Sequence, residues 1–224
     1  MPEKILLNWS SGKESALCLY QIRQSRDYEI VALLTTITED YDRVSMHGVR
    51  RILLEKQAES LNIPIEKVFI KKNYSNNEYE SRIKDILKLY KKKGILSAVF
   101  GDIYLLDVRR YREDNLKKAG IKAIFPLWKK DTFELANLFI DLGFKAIITC
   151  IDSHALDREF VGREFDKGFL NDLPAHVDPC GENGEFHTFV YEGPIFKHCI
   201  HFKKGEVVLR DNRFYFCDLL PKQL

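Results

Sequence analysis

The chain has no apolar run long enough to cross a bilayer, which excludes a helical membrane protein. It has no charge excess of either sign: 35 Lys and Arg stand against 33 Asp and Glu. Nonspecific binders of nucleic acid or membrane surfaces carry a basic surplus, so neither kind of partner is expected. The five cysteines, Cys18, Cys150, Cys180, Cys199 and Cys217, are odd in number and widely scattered. They offer neither a CxxC pair nor a disulfide framework, and a reducing cytoplasm is the expected setting. The apolar run Ile5-Leu6-Leu7 is too short for a signal-peptide core, so no signal peptide is expected. There are no repeats and no low-complexity linker. With 224 residues, that leaves one large domain or two small ones packed closely.

What is present is alternation. Residues 4–9, 29–37, 67–70, 98–103 and 122–126 read as buried strands bounded by polar, Gly or Pro signals. Between them lie amphipathic stretches. In 77–93, Tyr79, Ile83, Ile86, Leu87 and Tyr90 share one face and Gly94 supplies a stop; a second helix is read over 49–61. Strand–helix alternation of this kind predicts right-handed crossovers and an α/β fold with a doubly wound parallel sheet. A helix over 132–142 and a strand over 145–152 follow. After residue 155 the pattern changes, and 195–202, 206–209 and 213–217 read as short strands of a smaller mixed α+β region. A boundary is set at 127/128: residues 1–127 as a nucleotide-binding domain, 128–224 as a substrate-binding one.

Ser10-Ser11-Gly12-Lys13-Glu14-Ser15 falls where the first strand turns into the first helix. Ligands of open parallel sheets bind at the carboxyl ends of strands. Small residues let backbone N–H groups approach phosphate oxygens, the helix N-terminus adds unpaired donors, and Lys13 adds a charge. Glu14 in the first turn is placed to help hold Mg²⁺. The hexapeptide alone equally fits a plain helix N-cap at Ser10 or Ser11 with Lys13 solvated. Its spacing is not that of a Walker A loop.

A second cluster lies at residues 176–196. Glu182 and Glu185 flank the turn dipeptide Asn183-Gly184, and His187 and Thr188 enter a strand with side chains on opposite faces. Two carboxylates and an imidazole at one turn suit amine recognition or acid–base work; an acidic, solvated hairpin tip accounts for the same residues. Smaller signals are Thr35-Thr36 at the end of the second strand, His47 before a helix, Gly101-Asp102 after an apolar run, and Arg112-Glu113 in a charged helix. His176, Asp178, Cys180 and His187 lack a recognised zinc spacing, so no metal site is assigned to them.

The loop resembles the S-G-G-K-D-S signature of PP-loop ATP pyrophosphatases, with Ser11 in place of Gly and Glu14 in place of Asp. Together with E-N-G-E-F-H-T-F-V at 182–190, Gly101-Asp102, Arg112-Glu113 and Pro126-Leu127-Trp128, it resembles the diphthine–ammonia ligase family across nearly the whole chain. The resemblance implies a HUP-like PP-loop sheet and an amide-forming ligase that splits ATP into AMP and pyrophosphate. It implies ATP with Mg²⁺ as cofactors, a small-molecule or protein-borne carboxylate as acceptor, and ammonia or an amine as donor. Lys13, Glu182, Glu185 and His187 are the implied catalytic residues. Ser10, Ser11, Gly12, Lys13, Glu14, Ser15, Thr35, Thr36, Gly101 and Asp102 are the implied nucleotide contacts. Arg112, Asn183, Gly184 and Thr188 are the implied substrate contacts. Asn183 and His187 depart from the E-G-G-E-aromatic-Glu form of diphthine-amidating members. The E-N-G-E-x-H form resembles a subgroup linked to cobalamin-related metabolism. Rival readings are a nucleotide-binding sensor without turnover and a sulfur-transferring, tRNA-modifying PP-loop enzyme using Cys180. A homo-oligomer is compatible with any of these.

Overall fold

A computed structural model describes residues 1–73 and 75–222. The first half runs β1 (Glu3–Asn8), α1 (Lys13–Ser25), β2 (Tyr28–Thr38), β3 (Arg43–Val44), α2 (Arg51–Leu61), β4 (Ile65–Ile70), α3 (Asn76–Lys92), β5 (Ser97–Val99), α4 (Leu106–Ala119) and β6 (Lys122–Ile124). Five strands pair in parallel in the order β4-β2-β1-β5-β6, and β3 pairs antiparallel with the end of β2. Strand alternation sends β1 to both faces: Ile5 and Leu7 join the main core with α1 and α2, while Leu6 joins a second core with Leu87 of α3 and Leu116 of α4. The chain grows outward from β1 through β2 to β4, then returns to the other side of β1 for β5. The switch point, and hence the crevice, lies between β1 and β5.

The second half runs α5 (Thr132–Asp141), β7 (Lys145–Asp152), α6 (Lys167–Asp172), β8 (Phe186–Glu192), β9 (Phe202–Arg210) and β10 (Phe214–Pro221). Its four strands pair antiparallel in the order β8-β7-β10-β9. Phe139, Phe144, Phe165, Phe169 and Phe186 stack edge and face in a core continuous with the one under α1 and α2. On the far side, Asp218 of β10 accepts hydrogen bonds from Arg43 (2.8 Å) and Arg50 (2.9 and 2.7 Å), tying the second sheet to β3 and α2. Those two guanidinium groups hold the Asp218 carboxyl down at about 2.

The α/β reading with a parallel sheet and a smaller second region holds, and the helix over 132–142 and the strand over 145–152 are found at those places. Other boundaries need correction. The strand read over 98–103 stops at Val99; Phe100, Gly101 and Asp102 leave the sheet to line the crevice, and Ile103 turns into the core. The strand read over 195–202 is absent before Phe202. Pro194 follows Gly193 there, and Ser60 holds the backbone of Lys197 and His198 in an irregular turn (Lys197 N to Ser60 O, 3.0 Å; Ser60 Oγ to His198 O, 2.7 Å). The turn at 182–185 is no hairpin tip: it precedes β8, which pairs with β7 further up the chain.

Candidate active site

The loop after β1 is built around two backbone requirements. Ser11 lies at φ +70°, a left-handed conformation that L-residues other than Gly, Asn and Asp resist. Gly12 packs so closely that a Cβ would stand 2.7 Å from His47 Cε1 and 3.2 Å from the Thr188 carbonyl oxygen. Helix α1 begins at Lys13 and its N-cap is Gly12, with no side-chain cap. The plain Ser N-cap is therefore not what these residues form. Instead Ser15 Oγ donates back to Gly12 O (2.8 Å), Ser10 Oγ accepts from Gly12 N (3.3 Å), and Thr188 Oγ1 accepts from Lys13 N (3.1 Å).

A buried glutamine locks this loop. Gln57 of α2 is fully buried; its Oε1 accepts from the Trp9 indole (2.9 Å), and its Nε2 donates to Ser11 O (3.1 Å) and Val190 O (2.6 Å). Three chain segments far apart in sequence meet on one amide. Gln57 was missed at the sequence level, although a signal exists: it sits on the apolar stripe Leu53-Leu54-Gln57-Ala58-Leu61, where a polar residue needs partners.

The segment before β8 is organised by Asp178, which in the sequence is weighed only as a metal ligand. Its Oδ1 accepts from Cys180 N (2.9 Å) and Glu182 N (3.1 Å). Glu182 reaches across to the first half, where Oε1 accepts from Ile103 N (2.7 Å). Burial, reinforced by the Glu14 and Asp102 carboxylates, pushes the Glu182 carboxyl up to about 7 against the pull of the Ile103 amide. Glu185 is buried; its Oε1 accepts from Asp178 N (3.1 Å) and Asn183 Nδ2 (2.9 Å). Asn183 Oδ1 in turn accepts from the Tyr104 hydroxyl (3.0 Å). His187 and His47 lie against one another with ring centroids 4.6 Å apart and planes tilted by 35°, and His47 Nδ1 lies 3.1 Å from Thr188 O. Burial drives both imidazoles down, His47 to about 4 and His187 well below its ordinary value, so both are neutral at pH 7.

These pieces surround a crevice of about 530 Å³ at the carboxyl ends of the parallel strands. Ser10, Glu14, Ser15, Thr35, Thr36, Gly101, Asp102, Arg112, Glu182, Gly184 and His187 all line it. Gly101 is needed because a Cβ there would stand 2.9 Å from Glu14 Cβ. Asp102 pairs with Arg112 at 2.6 Å, and that guanidinium lies 4.7 Å from the centre of the Phe100 ring. Thr35 is engaged in the strand, donating to Trp9 O at 2.6 Å.

Five of the expected site residues sit behind the wall. Ser11, Gly12, Glu185 and Thr188 support the lining without forming it. Lys13 is the most consequential: it is 2% exposed, its ammonium donates to Cys180 O and pairs with Glu14 at 2.5 Å, and it lies 4.7 Å from the Phe186 ring centre. Burial alone would lower its pKa, but the Glu14 carboxylate, with Cys180 and Glu182, more than offsets that and holds Lys13 charged. Among the described residues no group of three or more His, Cys, Asp and Glu is set to hold a metal, and no helix is long and apolar enough to cross a membrane.

Two outcomes follow from this geometry. Ser11→Gly relieves a left-handed Ser and removes a buried hydroxyl that lacks a partner, against the greater chain entropy of Gly. A gain of about 1 kcal/mol is expected, read in a urea melt as a higher midpoint at constant slope. Glu182 provides a pH signature. Its folded pKa is raised, so the folded chain holds the proton more tightly than the unfolded chain. The stability this contributes is full below about 4.5 and lost as pH rises through about 7. Glu182→Gln should therefore melt above the parent at pH 8, with the gap closing as pH falls to 4.5.

An open α/β sheet with a strand-end crevice, closed on one side by an antiparallel sheet that delivers an acidic turn, defines the class. Family models sharpen it: residues 3–123 match the diphthamide synthase N-terminal domain and residues 131–219 the diphthamide synthase C-terminal domain. The chain belongs to the diphthamide synthase family. Among its relatives, the diphthine–ammonia ligase of Schizosaccharomyces pombe is 29% identical over 92% of this chain and 37% of its own length. That of Bos taurus is 30% identical over 55% of this chain and 49% of its own. That of Mus musculus is 25% identical over 89% of this chain and 83% of its own. The chain thus spans less than half the length of the first two.

Proposed function

We propose that this chain is an ATP-dependent, amide-forming ligase: ATP is cleaved to AMP and pyrophosphate, a carboxylate is activated as its adenylate, and ammonia or an amine displaces AMP. The observation that carries the reading is the convergence, in one crevice of a diphthamide synthase family member, of the Ser10–Ser15 loop with the Glu182–His187 turn. Residues 1–127 form the nucleotide-binding part in this reading, and 128–224 the substrate-binding part.

The crevice fits the groups proposed for it. Ser10, Ser15 and the start of α1 face the space where a polyphosphate would lie, with a helix N-terminus behind it. Glu14 and Asp102 present carboxylates into the same space, and Mg²⁺ is commonly held by one or two carboxylates together with substrate phosphates. Glu14 and Asp102 would hold the ion, which would supply charge neutralisation for the departing pyrophosphate. Lys13 contributes the fixed positive charge of the loop; to touch a phosphate its ammonium must leave the Cys180 carbonyl. Glu182 titrates near neutrality and takes up the proton released by the incoming amine. His187, uncharged, leaves the amine unrepelled. Glu185 and Thr188 hold the turn and the loop in register, and Arg112, paired at 2.6 Å, keeps Asp102 aimed.

The E-N-G-E-x-H segment separates this chain from diphthine-amidating members, and an acceptor related to corrinoid synthesis is the finer reading. A reducing cytoplasm suits its unpaired cysteines. The sulfur-transfer alternative gains nothing from Cys180, whose buried thiol is pushed far above the usual range and donates to Thr132 O at 3.2 Å. A screen of carboxylates, corrinoid precursors included, tests the proposal. Acceptor-dependent release of AMP and pyrophosphate is expected; ADP and phosphate would sink it, and ATP binding without AMP under every mixture would favour the sensor.

A further inference from the structure

We propose that a second cavity, sharing a wall with the strand-end crevice, holds the acceptor, and that the acceptor is an acid with a flat apolar body and two anionic ends. The inference rests on the crevice being the ATP site.

The cavity encloses about 360 Å³ between the end of the parallel sheet and strands β9 and β10. Val44, Ser45, Met46 and Ile70 line both spaces, so the two are separated by little more than the chain between β3 and α2. That partition is a built feature. Ser45 N donates to Thr36 O (3.0 Å), Ser45 Oγ and Thr38 Oγ1 are 2.9 Å apart, and Met46 is held at φ +64° with its side chain largely exposed. Gly48, at φ +70°, leaves room for an aromatic ring: a Cβ there would stand 2.5 Å from Phe216 Cδ1. The floor is apolar, with Val208, Phe214 and Phe216, and Tyr41 at the mouth.

The rim is cationic. Arg43 is neutralised by Asp218, and Lys72 pairs with Asp211 at 3.2 Å. Among the described residues, the remaining two cations of the lining, Lys71 and Arg210, form no ion pair, although Arg210 lies 5.0 Å from the centre of the Tyr41 ring. A ligand seated on Phe214 and Phe216 would thus be drawn at its outer end to Lys71 and Arg210. Its inner end would face the partition, and the exposed Met46 side chain must move aside for that carboxylate to reach the nucleotide in the crevice. Aromatic walls select a flat or apolar body, and unpaired cations at one end select an anion there. The inner end is the carboxylate that reacts, so the ligand carries two acids.

The probe is 2,6-naphthalenedicarboxylate, titrated calorimetrically into the full chain with and without saturating α,β-methylene-ATP. Expected is saturable one-to-one binding that survives the nucleotide analogue and weakens at least tenfold in the Lys71→Glu/Arg210→Glu double variant. The probe's dimethyl ester should bind at least tenfold more weakly than the diacid. Both substituted residues are exposed, so the double variant should melt with the parent. Binding competed away by the nucleotide analogue, binding indifferent to the charge reversal, or no binding at all would overturn the proposal. Failure of the ATP reading shows separately, as absence of binding by the analogue itself, and the probe titration is read without it.

Discussion

Gln57→Met is expected to cost about 3 kcal/mol of folding stability, a large loss for a substitution that nearly conserves side-chain length. The side chain is fully buried and of similar length, so the change leaves little cavity and tests the amide alone. Without it the Trp9 indole N–H and the Val190 carbonyl each lose the partner that Gln57 provides, while Ser11 O retains Val190 N at 3.0 Å. Each buried polar group left unsatisfied costs about 1–3 kcal/mol, and two of them set the total. For a chain of this size the melting temperature should fall by about 6–12 °C, measured calorimetrically. Gln57→Glu should fare worse, because it places a carboxylate against two carbonyl oxygens in a buried site. A melting temperature within about 2 °C of the parent in the Met variant would mean that the loop is held by other contacts.

Lys13→Met is expected to lower acceptor-dependent AMP release by about 10²–10³-fold, the usual cost of removing a preorganised charge from a site where negative charge builds up. Its effect on stability should be small. The substitution removes a buried cation and its desolvation penalty, but strands Glu14, which is only partly buried, so the two changes oppose one another. Lys13→Arg should not rescue activity, since a guanidinium does not fit the enclosed space between Glu14, Cys180 O and the Phe186 ring. Full AMP release in the Met variant would reduce Lys13 to a pin between the loop and the second sheet. A loss of stability as large as that of Gln57→Met would place its role in folding.

Both predictions depend on contacts of different origin in the chain. Lys13 sits in a six-residue motif that can be read at once, and its charge and its position after β1 follow from the local pattern. Gln57 is one residue on a helical stripe, and its three partners come from two other segments, the loop after β1 and β8. The same contrast runs through the site. Glu182 and Glu185 stand out because a turn dipeptide lies between them, whereas Asp178, which accepts from two of the backbone amides shaping that turn, carries no local mark of that role. His47 and His187 lie 140 positions apart, so no spacing rule pairs them.

The sequence by itself determined the alternation that makes the parallel sheet, the place of the loop at the end of the first strand, and the family motifs at both ends of the crevice. Those depend on periodicity and on short runs of residues, which local sterics and burial translate directly into strands, helices and turns. Only the tertiary structure decided which side of the wall each residue occupies. It set Lys13, Glu185 and Thr188 behind the crevice and Glu14, Asp102 and His187 on its surface. The physical reason is that a side chain's direction at a loop depends on what packs against it. Here the packing comes from β8 and the turn before it, more than 160 residues further along the chain, docking onto the start of α1.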